Sequence, residues 1–302
     1  MIRKITIIGT GLIGGSLALA LRKHGFGGRI VGCDSPSVLQ KARKLRVIDA
    51  GVADAKHAVT GSDVVVLAAP VGAILNLVRE IGPALPSEAL LTDVGSTKLA
   101  VTQTAAAVLG KSVAKKFLAG HPMAGKELSG LEGADANLFQ DAVWFLTPLH
   151  GQNVEEGRCG EWVGWIEKIG ARVALLDAQR HDRLCAWISH LPQMISTALA
   201  AALVDEFGGD LPLLEAGGRA LREMTRISAS PYSMWRDIAI TNKKNLGYAL
   251  LQLEQRLAHI RENLDTRELA AEFEKAHQMK KGKAGDPGLR RTRRPNTIRT
   301  YE

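Results

Sequence analysis

Short apolar runs recur through the first half of the chain, each closed by glycine, proline or a polar residue and each followed by helical spacing. After Ile5-Thr-Ile-Ile8 come residues 29–33, 63–70, 89–95, 117–121, 142–148 and 171–177, all rich in Val, Ile, Leu and Ala. Strand-like and helix-like segments in alternation predict a parallel, doubly wound sheet. Beyond Asp177 the period becomes helical: 180–206 reads as one long apolar helix interrupted near Pro192, and 211–226, 234–263 and 266–279 supply more. The expected architecture is an α/β Rossmann-type doubly wound sheet over residues 1–177, followed by an all-α helical dimerisation domain over 178–280. Its broad apolar faces, notably 195–204, exceed what about a hundred residues can hide, so a homodimer through this domain is expected.

Composition narrows the setting. In 302 residues, 46% hydrophobic and 23% charged, no apolar run reaches membrane-spanning length, so no membrane partner is expected. Met1-Ile-Arg-Lys leads straight into the first strand, leaving no place for a signal peptide, and a cytoplasmic protein is expected. Cys33, Cys159 and Cys185 lack C-x-x-C spacing; they read as packing residues in a reducing compartment, with no disulfide framework and no metal. The net charge of +8 lies mostly in residues 281–302, which carry seven Lys/Arg and two acids and leave only +3 on the first 280. That tail is expected to be disordered and solubilising, and nucleic acid is not the expected partner.

The first run carries chemistry. Gly9-Thr-Gly11-Leu12-Ile13-Gly14 opens a helix, and about twenty residues later the second run ends in Asp34. A bare glycine triplet is a weak signal, but strand, helix and acid at this spacing predict a dinucleotide site. Gly9 makes the turn, Gly11 admits a pyrophosphate to the helix N-terminus, and Gly14 lets helix and strand approach. Asp34 can accept hydrogen bonds from both ribose hydroxyls and would repel a 2′-phosphate, which favours NAD over NADP. With Leu12, Ile13 and Pro70 at a neighbouring strand end, these residues form the expected cofactor site.

Three polar clusters remain. Asp93-Val-Gly-Ser96-Thr97-Lys98 is a strand end, where by itself Ser96 reads as a helix cap. Gly120-His121-Pro-Met-Ala-Gly-Lys-Glu127 holds a histidine on a rigid loop after a strand, a position suited to a base. In the helical half stand His181-Asp182, Ser189-His190-Leu-Pro-Gln193, Thr225-Arg226-Ile227 and Met234-Trp235-Arg-Asp237.

In this order, behind a dinucleotide fingerprint, G-x-H-P-M-A-G, S-H-L-P, T-R-I and M-W-R-D resemble the prephenate/arogenate dehydrogenase family of tyrosine biosynthesis. The resemblance covers about residues 1–280. It implies NAD-dependent oxidative decarboxylation of a cyclohexadienyl acid: hydride leaves the hydroxyl-bearing ring carbon, the hydroxyl proton goes to a base, and carbon dioxide departs from the opposite carbon. It implies His121 as that base, working as the neutral imidazole, and Ser96 as the group orienting His121 and the substrate hydroxyl. Arg226 is implied to bind a substrate carboxylate, with Glu127 pairing with it at the pocket mouth. His190, Gln193 and Trp235 are implied as further substrate-binding residues.

The chain also departs from the family pattern. Gln193 stands where many members have histidine, which leaves prephenate and arogenate both open as substrate, and Gly217-Gly-Arg-Ala-Leu221 replaces a G-G-G-F approach to T-R-I. No chorismate mutase or ACT segment is read beside these motifs, so a monofunctional enzyme is expected. Two alternatives stand beside this reading. A dehydrogenase of the β-hydroxyacid or imine-reducing kind would use a lysine such as Lys243 or Lys244, and a non-catalytic NAD-sensing protein would use the basic tail.

Overall fold

The structure, a computed structural model, describes residues 1–126, 130–208, 216–285 and 299–300. Its first half alternates β1 (Lys4–Ile8), α1 (Leu12–Lys23), β2 (Arg29–Cys33), α2 (Pro36–Lys44), a short β3 (Ala50–Gly51), α3 (Ala55–Ala58), β4 (Val64–Leu67) and α4 (Val71–Ile81). It continues with β5 (Leu90–Asp93), α5 (Leu99–Leu109), α6 (Val113–Lys116), β6 (Phe117–Pro122), β7 (Val143–Thr147), α7 (Gly157–Lys168) and β8 (Arg172–Leu175). Every residue of β4, β5 and β6 is buried, because helices cover both faces of the sheet, and this is why these strands read as unbroken apolar runs. One face packs Trp144, Trp162 and Phe139; the other packs Phe117, Ile74 and Val78.

Among the described residues the strand order is β3-β2-β1-β4-β5-β6-β7-β8, with a last pair of residues, Arg299–Thr300, beside β8. Strands β1 to β6 pair in parallel as expected, but β7 runs antiparallel to β6, His121 facing Phe145 across the pair. A parallel return needs a crossover helix, and between β6 and β7 the described residues hold only a single 3-10 turn, Leu131–Gly133. The order reverses at β1 and β4, whose carboxyl ends are where ligands of such sheets sit.

The second half is helical: α8 (Ala178–Cys185), a π-helical turn (Ala186–His190), α9 (Leu191–Phe207), α10 (Gly218–Thr225), α11 (Tyr232–Thr241), α12 (Lys243–Glu262) and α13 (Arg267–Gly285). Three expectations meet a different outcome here. Pro192 does not break the long helix, because the wider π turn precedes it and the proline falls in the first turn of α9. The continuous run Ala178–Phe207 is therefore long and apolar enough, by length and composition alone, to cross a membrane, although the sequence reading found no segment of that length. The chain from 281 onward is not irregular throughout: α13 continues to Gly285, and Arg299–Thr300 pairs with β8 through its backbone.

Candidate active site

Gly9, at φ +94°, turns the chain out of β1, and a Cβ there would lie 2.3 Å from the Ala68 carbonyl oxygen. A Cβ on Gly14 would meet the Gly9 carbonyl at 1.9 Å and Ile7 at 2.9 Å, so helix α1 can pack on β1 only with glycine at that position. Nothing stands within 4 Å of where a Gly11 Cβ would be, leaving the helix N-terminus open for an anion. At the end of β2, Asp34 accepts the Thr10 N–H at 2.8 Å and the Ser35 N–H at 2.7 Å, which ties its carboxylate to the glycine turn. Gly9, Gly11, Asp34 and Pro70 line one cleft. The glycine cradle and the anchored acid fit a dinucleotide.

From Pro70 the cleft runs on past Leu12, Ile13 and Ser96 into a pocket of about 380 Å³ that adds His121, His190 and Trp235. Sheet and helical half thus share one cavity, in the size range of small-ligand sites. His121, at the end of β6, is 8% exposed. Burial, reinforced by His181 and the Lys98 ammonium, holds it well below the ordinary histidine value, so the ring is neutral. Its Nδ1 lies 2.9 Å from His181 Nε2, and His181 Nδ1 lies 2.9 Å from Asp182 Oδ1. Beneath them, Lys98 pairs with Asp93 in full burial and donates to the Gly120 carbonyl at 2.8 Å, pinning the strand end that carries His121.

His190 is 1% exposed, and burial lowers it to about 4. Asn242 fixes its tautomer. The Asn242 Nδ2 donates to the Asp182 carbonyl at 2.7 Å, an oxygen that can only accept, and lies 3.2 Å from His190 Nδ1. His190 Nδ1 is then the acceptor and Nε2 carries the proton. That Nε2 and the Trp235 Nε1 have no hydrogen-bond partner among the described residues, and both residues line the pocket. Two buried N–H groups of this kind are what a ligand oxygen would satisfy.

The other predicted residues fall as follows. Ser96 lines the pocket with His121, but among the described residues the group bonded to the His121 ring is His181. Gln193 is buried and donates to the Ile227 carbonyl at 2.9 Å, next in sequence to Arg226, which is exposed at the C-terminal end of α10. Glu127 lies outside the described residues. Sequence reasoning missed the roles of Asp182, Asn242 and Cys185. Cys185 was read as packing, yet its Sγ stands 3.4 Å from His181 Nε2, and its thiol is raised to about 12 by burial. The signal was present: His181 and Cys185, four apart, share one face of α8. The ligand atoms of His121, His181 and Cys185 lie within 4.8 Å of one another, close enough to share a metal ion, and the two ring nitrogens are already hydrogen-bonded.

Fold and cleft together define a nucleotide-binding α/β protein with a helical half that completes its ligand pocket. Residues 17–175 match the family model "prephenate dehydrogenase, nucleotide-binding domain", and residues 177–278 match "prephenate dehydrogenase, dimerization domain". The chain therefore belongs to the prephenate dehydrogenase family. It is 36% identical over 250 residues to the prephenate dehydrogenase of Bacillus subtilis and 34% over 244 to that of Lactococcus lactis. Each match takes in 80% of this chain, which spans 65% of the length of each of those relatives. Among solved structures, the Aquifex aeolicus prephenate dehydrogenase in complex with hydroxyphenyl propionate and NAD+ superposes with a TM-score of 0.82 at 31% identity. The superposition covers 94% of this chain and 99% of that one.

Proposed function

We propose that this chain is an NAD-dependent dehydrogenase that oxidatively decarboxylates prephenate, arogenate or both. The observation that carries this reading is the buried, neutral His121 at the junction of the glycine-lined cleft and the helix-walled pocket. Bound in the cleft, NAD supplies the hydride acceptor. His121 takes the proton of the substrate hydroxyl, which a neutral ring nitrogen can do and an imidazolium cannot. Ser96, which lines the same pocket, holds that hydroxyl. The N–H groups of His190 and Trp235 donate to substrate oxygens, while Arg226 binds a substrate carboxylate and Glu127 pairs with that arginine. Asp34 holds the adenosine ribose, with Gly9, Gly11, Leu12, Ile13, Gly14 and Pro70 forming the rest of the cofactor site.

We further propose the division into a nucleotide-binding unit, 1–177, and a helical unit, 178–280, that pairs with a second copy. The helical unit exposes Trp187, Ile188, Val204 and Phe207 on its long helix, and the matching family model is a dimerization domain. The decisive experiment is NADH formation at 340 nm, with prephenate and arogenate offered separately and NAD or NADP as acceptor. Turnover of either acid is expected, with NAD preferred; no turnover with any pair, in folded protein, would sink the reading.

A further inference from the structure

Resting on the reading of His121 as the base, we infer that Asp182 and His181 are its positioning residues, a buried chain that sets which nitrogen of His121 faces the substrate. Asp182 is 1% exposed and His181 fully buried. The two Asp182 oxygens accept the backbone N–H groups of Lys98 at 2.7 Å and Leu99 at 3.0 Å, at the start of α5. Those contacts turn the carboxylate so that Oδ1 also faces His181 Nδ1 at 2.9 Å. An acceptor there requires the proton of His181 to sit on Nδ1, which leaves a lone pair on Nε2.

That lone pair faces His121 Nδ1 at 2.9 Å, so His121 must donate from Nδ1. Its own lone pair is then on Nε2, the nitrogen with no hydrogen-bond partner among the described residues. The Cys185 thiol, near the same His181 nitrogen, is a weaker donor and does not compete. In the reaction the substrate O–H bond breaks and an N–H bond forms at His121 Nε2; NAD held in the cleft would supply the acceptor for the hydride. The positive charge so created on His121 faces the His181 lone pair, with the Asp182 carboxylate behind it. Among the described residues the only other hydrogen-bonding group near His121 Nδ1 is the Cys185 Sγ, at 3.9 Å, and the other tautomer, protonated on Nε2, has no lone pair to offer the substrate. The arrangement is analogous to the buried carboxylate of a serine-protease triad, which acts by fixing a tautomer.

The test uses the full chain with NAD and whichever of prephenate and arogenate it turns over. Asp182→Asn and His181→Leu are each expected to lower kcat on the order of a hundredfold with KM within about threefold, as for a base held in the wrong state. His181→Gln keeps an acceptor oxygen near the position of Nε2 and is expected to recover at least about tenfold over His181→Leu. In ¹⁵N spectra of the histidine rings, His121 of the unaltered chain is expected to be protonated on Nδ1, and Asp182→Asn to redistribute that proton. Should Asp182→Asn fail to fold, the Gln and Leu variants of His181 decide, since equal losses in both would mean a merely structural role and overturn the inference. Wild-type kcat in Asp182→Asn or His181→Leu, beside an impaired His121→Asn, would also overturn it. Wild-type kcat in His121→Asn would remove the base reading itself.

Discussion

Asp237 accepts the backbone N–H of Gly72 at 2.9 Å across 165 positions of sequence, so a carboxylate of α11 caps the N-terminus of α4. Pro70, in the local cap position, has no side-chain acceptor to offer, and the helical half supplies one instead. A Cβ on Gly72 would lie 2.8 Å from Asp237 Oδ2, so the close approach uses the missing side chain. Asp237→Ala is expected to destabilise the fold by about 1–2 kcal/mol, the usual cost of a lost N-cap, read as a lower urea midpoint. Because α4 begins at the cleft, NAD affinity is expected to weaken with it. An unchanged midpoint would show that the cap contributes nothing.

Asp34→Ala is expected to weaken NAD binding about tenfold, the scale of hydrogen bonds to a charged acceptor, and to leave NADP binding less affected. Fluorescence titration with both cofactors checks this. Equal losses for the two would contradict a ribose contact.

Gln193 spends its amide on the Ile227 carbonyl and on Thr197 Oγ1 at 3.2 Å. Gln193→Ala leaves a partly buried carbonyl without its donor, a loss of about 1–3 kcal/mol, next to Arg226. The expected result is a higher KM with kcat nearly kept, the signature of weakened ground-state binding. A selective fall in kcat would instead place Gln193 with the chemistry.

Acid should destabilise this protein through its buried histidines. Burial lowers His121, His181 and His190, the last to about 4. Above about pH 6.5 the rings are neutral in both folded and unfolded chains, and their full contribution to stability is present. Below that the unfolded chain takes up protons that the folded chain refuses. Stability therefore falls between about 6.5 and 4, by up to ~1.4 kcal/mol per pH unit for each ring. Urea midpoints at pH 7.5, 6 and 5 are expected to decline, with a shallower slope in His190→Gln. A flat series would show that the rings titrate normally.

Much of this molecule is determined locally and can be read from the chain alone. The glycine turn, the strand before it and Asp34 obey steric rules that span a few tens of residues, so the cleft could be placed by inspection. The apolar runs announced the central strands because burial on both faces leaves no room for polar alternation. His121 stood out because a histidine closes an apolar run just before a glycine-bearing segment, although the structure holds it in β6 itself. Local rules failed at β7, whose antiparallel direction goes with the single 3-10 turn that the described residues hold between it and β6, and at Pro192, where a π turn carries the helix past a residue that usually ends one.

Only the tertiary structure decided how the histidine is used. His181 lies 60 residues beyond His121, with Asp182 next to it, and Asn242 a further 60 beyond Asp182. No spacing rule joins them, since α8 meets the end of β6, and the junction of α11 and α12 meets α8, only after the helical half docks on the sheet. The sequence by itself determined which residue types were available and where a nucleotide would lie. Which nitrogen of each ring carries a proton was settled by hydrogen-bond partners brought together in space, because a tautomer is a property of its neighbours and not of its own residue.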